Sequence, residues 1–160
     1  MKYDKIRYAS PLGTLILVAD QEHLLEIRMT DEETDVPDVS SSIPLQETVH
    51  WLNDYFSGNM PSPETLQLHP DGTSFRQEVW AYLLQIPYGQ TVTYGQLAAM
   101  IARNRGIRRM SAQAVGQAVA ANPIPIIIPC HRVVGAKGDL VGYSCGLTRK
   151  LWLLTHEKQK

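Results

Sequence analysis

The sequence predicts an α+β protein built as two small domains, residues 1–72 and 73–160. Three observations carry that prediction. Apolar residues alternate with a period of two over residues 1–30 and recur at helical spacing after Thr73. A stretch with Pro61, Pro63 and Pro70 separates the two patterns. The charge divides at the same place: residues 1–73 carry 4 Lys/Arg against 13 Asp/Glu, a net of −9, and residues 74–160 carry 11 against 3, a net of +8. At 160 residues and 44% hydrophobic, the chain can bury a core in each half.

In chain order, residues 2–8 read as a strand, followed by a Ser10-Pro11-Leu12-Gly13 turn and a second strand over residues 14–19. An Asp20-Gln21-Glu22 turn leads to a third strand over residues 24–29, which completes an antiparallel meander. The acidic, Pro- and Ser-containing residues 30–42 read as a loop. Residues 44–56 place Leu45, Val49, Leu52 and Phe56 on one helical face and stop before Gly58. Residues 60–71 read as the connector. Thr73 or Ser74 then caps a helix whose inner face is Phe75, Val79, Leu83 and Leu84, ended by Pro87-Tyr88-Gly89. Thr93 caps a second helix over residues 94–101, and a basic loop, residues 103–109, follows. Ser111 caps a third helix running through Ala121. Two short helices joined by a turn give a helix-turn-helix reading. The third helix is rich in small residues (Ala112, Ala114, Gly116, Ala118), which suit either close approach to a groove or tight helix packing. A last helix, residues 149–157, offers Leu151, Trp152 and Leu154 as core anchors.

The composition removes several classes of function. Two cysteines, Cys130 and Cys145, make neither a disulfide framework nor a paired Cys-x-x-Cys zinc site. No apolar run reaches the roughly 18–20 residues a membrane span needs, and the charged start of the chain is no signal peptide. A cytoplasmic protein without membrane contact is expected, with Cys130 kept reduced. The basic second half points to a polyanionic partner for that half alone.

The chemistry is concentrated in residues 126–135, Ile-Ile-Ile-Pro-Cys-His-Arg-Val-Val-Gly. Three branched apolar residues read as a short buried strand, stopped by Pro129, which holds Ile128 extended. Cys130 and His131 follow at once. A thiolate, not a thiol, attacks carbon, and a neighbouring imidazole raises the thiolate fraction. Adjacent side chains on extended backbone face opposite ways, so His131 is expected to reach Cys130 through a bend or a bridging water.

Asn122-Pro123-Ile124-Pro125 precedes this string, Gly142-Tyr143-Ser144 follows it, and residues 149–157 read Arg-Lys-Leu-Trp-Leu-Leu-Thr-His-Glu. Together these motifs resemble the O6-alkylguanine-DNA alkyltransferase family (methylated-DNA–protein-cysteine methyltransferases), densely from Thr73 onward and more loosely before it. The resemblance implies a small ribonuclease-H-like α/β domain at the N-terminus and a helical domain with a helix-turn-helix at the C-terminus. It implies a monomer that binds double-stranded DNA through the minor groove. Its reaction is a single, self-inactivating transfer of a methyl or alkyl group from O6-alkylguanine, and from O4-alkylthymine, to Cys130. No cofactor is implied. Some family members hold a structural zinc in the N-terminal domain, but that half of this chain has no Cys, so no metal is expected.

The family pattern carries over residue by residue. Cys130 is the nucleophile, His131 activates it, Glu157 orients the imidazole, and Tyr94 is the phenol that donates to the purine. Asn122 ties the turn before the active-site strand, Val133 (by its backbone) and Ser144 read the guanine edge, and Tyr143 stacks on the flipped base. Ala112, Gln113 and Ala114 form the groove-facing side of the recognition helix, with Arg108, Arg109 and Arg132 assigned to the DNA. Three departures stand out. Gln113 takes a place where the family generally has Arg, Cys145 one where it usually has Gly, and the basic turn holding Arg103, Arg105, Arg108 and Arg109 is longer than the norm. Those arginines bind phosphates or are solvated surface. Rival readings are an alkyltransferase-like protein that binds lesions without transfer, a plain helix-turn-helix regulator, and a cysteine hydrolase using Cys130, His131 and Glu157. Cys130 speaks against the first and the Cys-His pair against the second. The third lacks an evident oxyanion loop.

Overall fold

A computed structural model describes residues 3–158. The chain divides after Asp71 into two compact units. In the first, β1 (Asp4–Ser10), β2 (Gly13–Ala19) and β3 (Leu24–Thr30) form an antiparallel sheet in the order β1-β2-β3. The register sets Ile6 opposite Leu17 and Leu17 opposite Ile27, so the period-two pattern gathers these apolar residues on one face. The residues expected for the first strand began at Lys2, which lies outside the described residues.

Helix α1 (Ile43–Phe56) packs on this sheet. Ser42 caps it by accepting from the Leu45 N–H, and Pro44 sits in the first turn, where its missing N–H costs nothing. Leu45, Thr48, Trp51, Leu52 and Tyr55 are its buried stripe. Residues 60–71 are more than the expected connector. They hold a 3₁₀ turn at Pro63–Thr65, and Leu68 bridges to Leu24 in parallel, with Leu24 N–H donating to Gln67 O (2.8 Å) and His69 N–H to Leu24 O (2.9 Å). An edge strand exposes unpaired backbone groups, and this segment satisfies those of Leu24 at the start of β3.

The second unit contains α2 (Ser74–Leu83), α3 (Tyr94–Arg105), α4 (Ala112–Ala120) and α5 (Leu147–Lys158). Thr73, Thr93 and Ser111 cap α2, α3 and α4, with Thr93 and Gln96 forming a reciprocal capping box. Helices α2 and α3 both pack against α4, and Trp80 Nε1–H donates to Ala118 O (2.8 Å) from inside that contact. β4 (Val92–Thr93) pairs in parallel with β5 (Val133–Val134).

Several expectations are corrected here. Helix α3 runs to Arg105, not to residue 101, because Arg is a good helix former and Gly106 supplies the left-handed C-cap (φ 67°). Arg103 and Arg105 are therefore last-turn residues and not part of the loop. Leu84 is 38% exposed, while Trp80 is the large residue α2 buries. On α5 the inner stripe is Lys150, Leu153 and Glu157, whereas Leu151 is 54% exposed and Trp152 and Leu154 are half-buried. Ile126, Ile127 and Ile128 are buried but form a turn, not a strand, with Ile126 at φ 74°. The strand that follows the helices is β5, beyond the Cys-His pair.

Candidate active site

Cys130 enters the site from a chain of tight turns. Ile128 N–H donates to Ile124 O (3.0 Å) and Cys130 N–H to Ile128 O (2.8 Å). Pro129 at φ −82°, ψ 65° has the geometry of an inverse γ-turn. Cys130–Arg132 then make one 3₁₀ turn before β5. The buried Asn122 amide spans this turn: Nδ2 donates to Ile128 O (2.8 Å), and Oδ1 accepts from Ile124 N–H (3.0 Å).

His131 is fully buried, and its Nε2 lies 2.6 Å from Glu157 Oε2. Glu157 also accepts from Arg132 Nε (2.9 Å), Arg132 Nη2 (3.1 Å) and Gly89 N–H (3.1 Å). Although burial works the other way, the hydrogen bonds and charges of His131 and Arg132 hold the Glu157 carboxyl well below the usual carboxylate range. It is thus an anion that can only accept, so Nε2 must carry the hydrogen. That leaves Nδ1 as the basic nitrogen, and it is a buried atom with no hydrogen-bond partner among the described residues. Burial holds the imidazole below its ordinary pKa, despite the opposing pull of Glu157.

Burial also pushes the Cys130 thiol up to about 12, and a hydrogen bond from the Asn122 side chain and the Lys150 charge act against it. The expected thiolate is therefore not the resting form. A neutral thiol beside a neutral imidazole is what a site nearly closed to water holds, because desolvation penalises both charged forms.

These features fit the description of one family. A model described as the 6-O-methylguanine DNA methyltransferase DNA-binding domain matches residues 74–159, and the ribonuclease-like domain of the same family matches residues 2–70. The chain belongs to the 6-O-methylguanine DNA methyltransferase family. It is 40% identical over 167 residues to the methylated-DNA–protein-cysteine methyltransferase of Salmonella typhimurium, covering 94% of this chain and 93% of that protein. The Mycobacterium leprae protein of the same description is 42% identical over 155 residues, covering 94% and 90%. The crystal structure of Mycobacterium tuberculosis OGT in complex with DNA superimposes with a TM-score of 0.80 at 40% identity, covering 98% of this chain and 92% of that one. The mixed α/β fold with a ribonuclease-like N-terminal domain is that of the family.

Against this family site, the structure brings together Cys130, His131, Glu157 and Asn122. Tyr94 opens α3 half-buried, its hydroxyl donating to Gly142 O (3.3 Å), and burial raises its pKa. Gly142 is at φ 56°, and a Cβ there would stand 3.4 Å from the Tyr94 hydroxyl, so a side chain would both strain the turn and crowd the phenol. Tyr143 is half-buried and Ser144 exposed on the same loop. The Val133 N–H donates to Cys130 O and its carbonyl accepts from Lys150 Nζ (2.6 Å), which leaves one acceptor position on that oxygen. Ala112 and Gln113 are exposed and Ala114 half-buried on α4, and Arg108 and Arg109 are exposed before it.

Arg132 is a correction. Expected on the DNA, it is 9% exposed, forked onto Glu157, donating to Ile86 O (2.7 Å) and lying over the Tyr88 ring at 5.6 Å. The 3₁₀ turn, in place of an extended strand, turns its guanidinium inward. Arg105 is a second. It is ion-paired with Glu78 (Nε to Oε2 3.1 Å) and lies over the Phe75 ring.

The sequence reading missed Lys150 and the inward role of Arg132. The signal was present for one of them: Lys150, Leu153 and Glu157 stand at i, i+3 and i+7, one face of a helix.

Proposed function

We propose that this protein repairs alkylated DNA directly, moving a methyl or other alkyl group from O6 of guanine, and from O4 of thymine, to Cys130 Sγ. The observation that carries this is the buried Arg132–Glu157–His131 chain, which fixes a basic Nδ1 on the residue next to a cysteine 3% exposed. A water bridging Cys130 Sγ and His131 Nδ1, which has no hydrogen-bond partner among the described residues, carries the thiol proton to the imidazole, and Glu157 stabilises the imidazolium that results. The sulfur attacks the alkyl carbon in line as the carbon–O6 bond breaks. Tyr94, kept protonated by its raised pKa, donates to the purine as charge develops there. The proton lost by sulfur finishes on guanine, and the products are an S-alkylcysteine and the restored base. A thioether has no easy leaving path, so each chain acts once.

Cys130 is too deeply placed to meet a stacked base, so the reading requires the nucleotide to be flipped out. Helices α3 and α4 then serve as a helix-turn-helix, with the exposed Ala112, Gln113 and Gln117 of α4 in the minor groove of double-stranded DNA. Arg103, Arg108 and Arg109 are exposed beside it and make no ion pair among the described residues. They rim a groove of about 400 Å³ floored by Ala98, Ala99 and Ala102. One chain supplies every group named, so a monomer suffices, and a reducing cytoplasm keeps Cys130 a thiol. No helix among the described residues is long and apolar enough to cross a membrane.

The test is intact mass after incubation with an O6-methylguanine duplex. One added methyl, mapped to the Cys130 peptide, is the expected result. Cys130→Ala should gain nothing yet still bind the lesion duplex. Methyl removal by Cys130→Ala would overturn the mechanism, and binding without any mass gain by the parent protein would make it a lesion-recognition protein.

A further inference from the structure

Lys150 is fully buried, at 0% exposed, and the mechanism above does not use it. A fully buried lysine is rare and costs stability unless its ammonium is satisfied. Here it is: Nζ donates to Val133 O (2.6 Å), Val141 O (2.8 Å) and Gly142 O (3.1 Å), which matches its three hydrogens. It also lies 5.9 Å from the centre of the Tyr94 ring. Among the described residues it makes no ion pair. Leucine would serve the helix pattern at this position, so the demands of packing do not explain a lysine.

Its three partners do. Val133 follows directly on the Cys130–Arg132 turn, and Val141 and Gly142 belong to the loop that carries Tyr143 and Ser144. Gly142 O accepts from both Lys150 and the Tyr94 hydroxyl. The ammonium therefore joins the nucleophile's segment, the base-facing loop and the acceptor that aims the phenol. Arg132 is neutralised by Glu157 and burial keeps His131 neutral, whereas Lys150 makes no ion pair among the described residues; burial lowers its pKa, and a charged Cys130 acts against that by favouring the ammonium. We infer that Lys150 is a positioning residue for the transfer step, clasping the pocket loop to the Cys130 turn and giving the thiolate its standing countercharge.

This inference rests on the alkyl-transfer reading, and its test separates the two. Lys150→Met removes the charge at similar volume, and Lys150→Arg keeps it with altered reach. Cys130 alkylation by iodoacetamide, resolved from Cys145 by peptide mass, reads the charge without DNA. Its pH profile should move up by about one unit in Lys150→Met, the size expected for losing one nearby opposite charge, and stay in place in Lys150→Arg. Methyl transfer from an O6-methylguanine duplex should slow at least tenfold in Lys150→Met, with lesion-duplex affinity within twofold. A folded Lys150→Met with unchanged profile and rate would overturn the inference, as would an equal profile shift in Lys150→Arg. Should Lys150→Met not fold, the ammonium nitrogen resonance of Lys150 in the unaltered protein replaces it. That signal should shift when Cys130 is methylated by iodomethane, and an unmoved signal would sink the proposal. A shifted iodoacetamide profile with no methyl transfer by the unaltered protein would retain the countercharge and discard the repair reaction.

Discussion

Glu157→Gln is the most discriminating single change in the site. The carboxylate is 2% exposed and accepts from His131, Gly89 and twice from Arg132. An amide keeps the shape but turns one acceptor into a donor aimed at other donors, and it removes the charge. Two losses follow, with different signatures. The first is stability. Arg132, 9% exposed, is left as an uncompensated buried cation, for which truncated pairs cost about 3–5 kcal/mol. For a chain of this size that lowers the melting temperature by about 10 °C. The second is rate. The imidazolium formed when His131 takes the thiol proton loses a charge-assisted hydrogen bond worth about 1.5–3 kcal/mol, so transfer slows by about 10- to 150-fold. Adding Arg132→Met separates the two effects. Removing the stranded cation should restore most of the melting temperature, less the cost of the orphaned Ile86 carbonyl, and none of the rate. Thermal unfolding and single-turnover methyl transfer on the same preparations read both. Transfer at the parental rate in Glu157→Gln, or rate recovery in the double variant, would show that Glu157 only holds the fold together.

Three further outcomes are expected. Because Cys130 keeps its proton up to about 12 in the fold, against 9.0 ordinarily, the unfolded chain releases a proton that the native one holds between those values. Stability is fully present below pH 9 and falls as pH rises through that window, by at most about 4 kcal/mol; Cys130→Ala should lack this loss in denaturant titrations at pH 8 and 10, and parallel curves would refute the burial of the thiol. Neutralising Arg108 and Arg109 together should lessen the slope of log affinity against log salt by about 2, while Arg105→Gln, already spent on Glu78, should leave it unchanged. An equal effect of both changes would mean the ion pair opens on DNA. Gln113, exposed near the start of α4, can hydrogen-bond an orphaned base but stacks poorly and brings no charge. Gln113→Arg should therefore speed repair of duplex DNA by about fivefold to tenfold, as roughly 1 kcal/mol of recovered base-flipping cost implies. Equal acceleration on single strands would show that it is not the wedge.

Much of this protein is written locally. Thr73, Thr93 and Ser111 announce three helix starts because capping needs only a hydroxyl within three residues of an N–H, and the meander follows from a period of two with turns between. The Cys130-His131 pair and the distant Glu157 were legible as chemistry from residue type and motif. The direction in which buried polar side chains point was not. Arg132 reads as a surface cation in sequence, and only the 3₁₀ turn and the approach of α5 from residues 147–158 make it the clamp on Glu157. The isoleucines at 126–128 have strand composition, yet Asn122 and Pro129 close them into turns, local side-chain-to-backbone bonding that overrides a weak β preference and that composition alone does not reveal. Lys150 shows the same limit most clearly. A lysine on an amphipathic helix is assigned to solvent unless three carbonyls from two separate segments are known to converge on it, and convergence across chain distance is the property that a sequence read window by window does not contain.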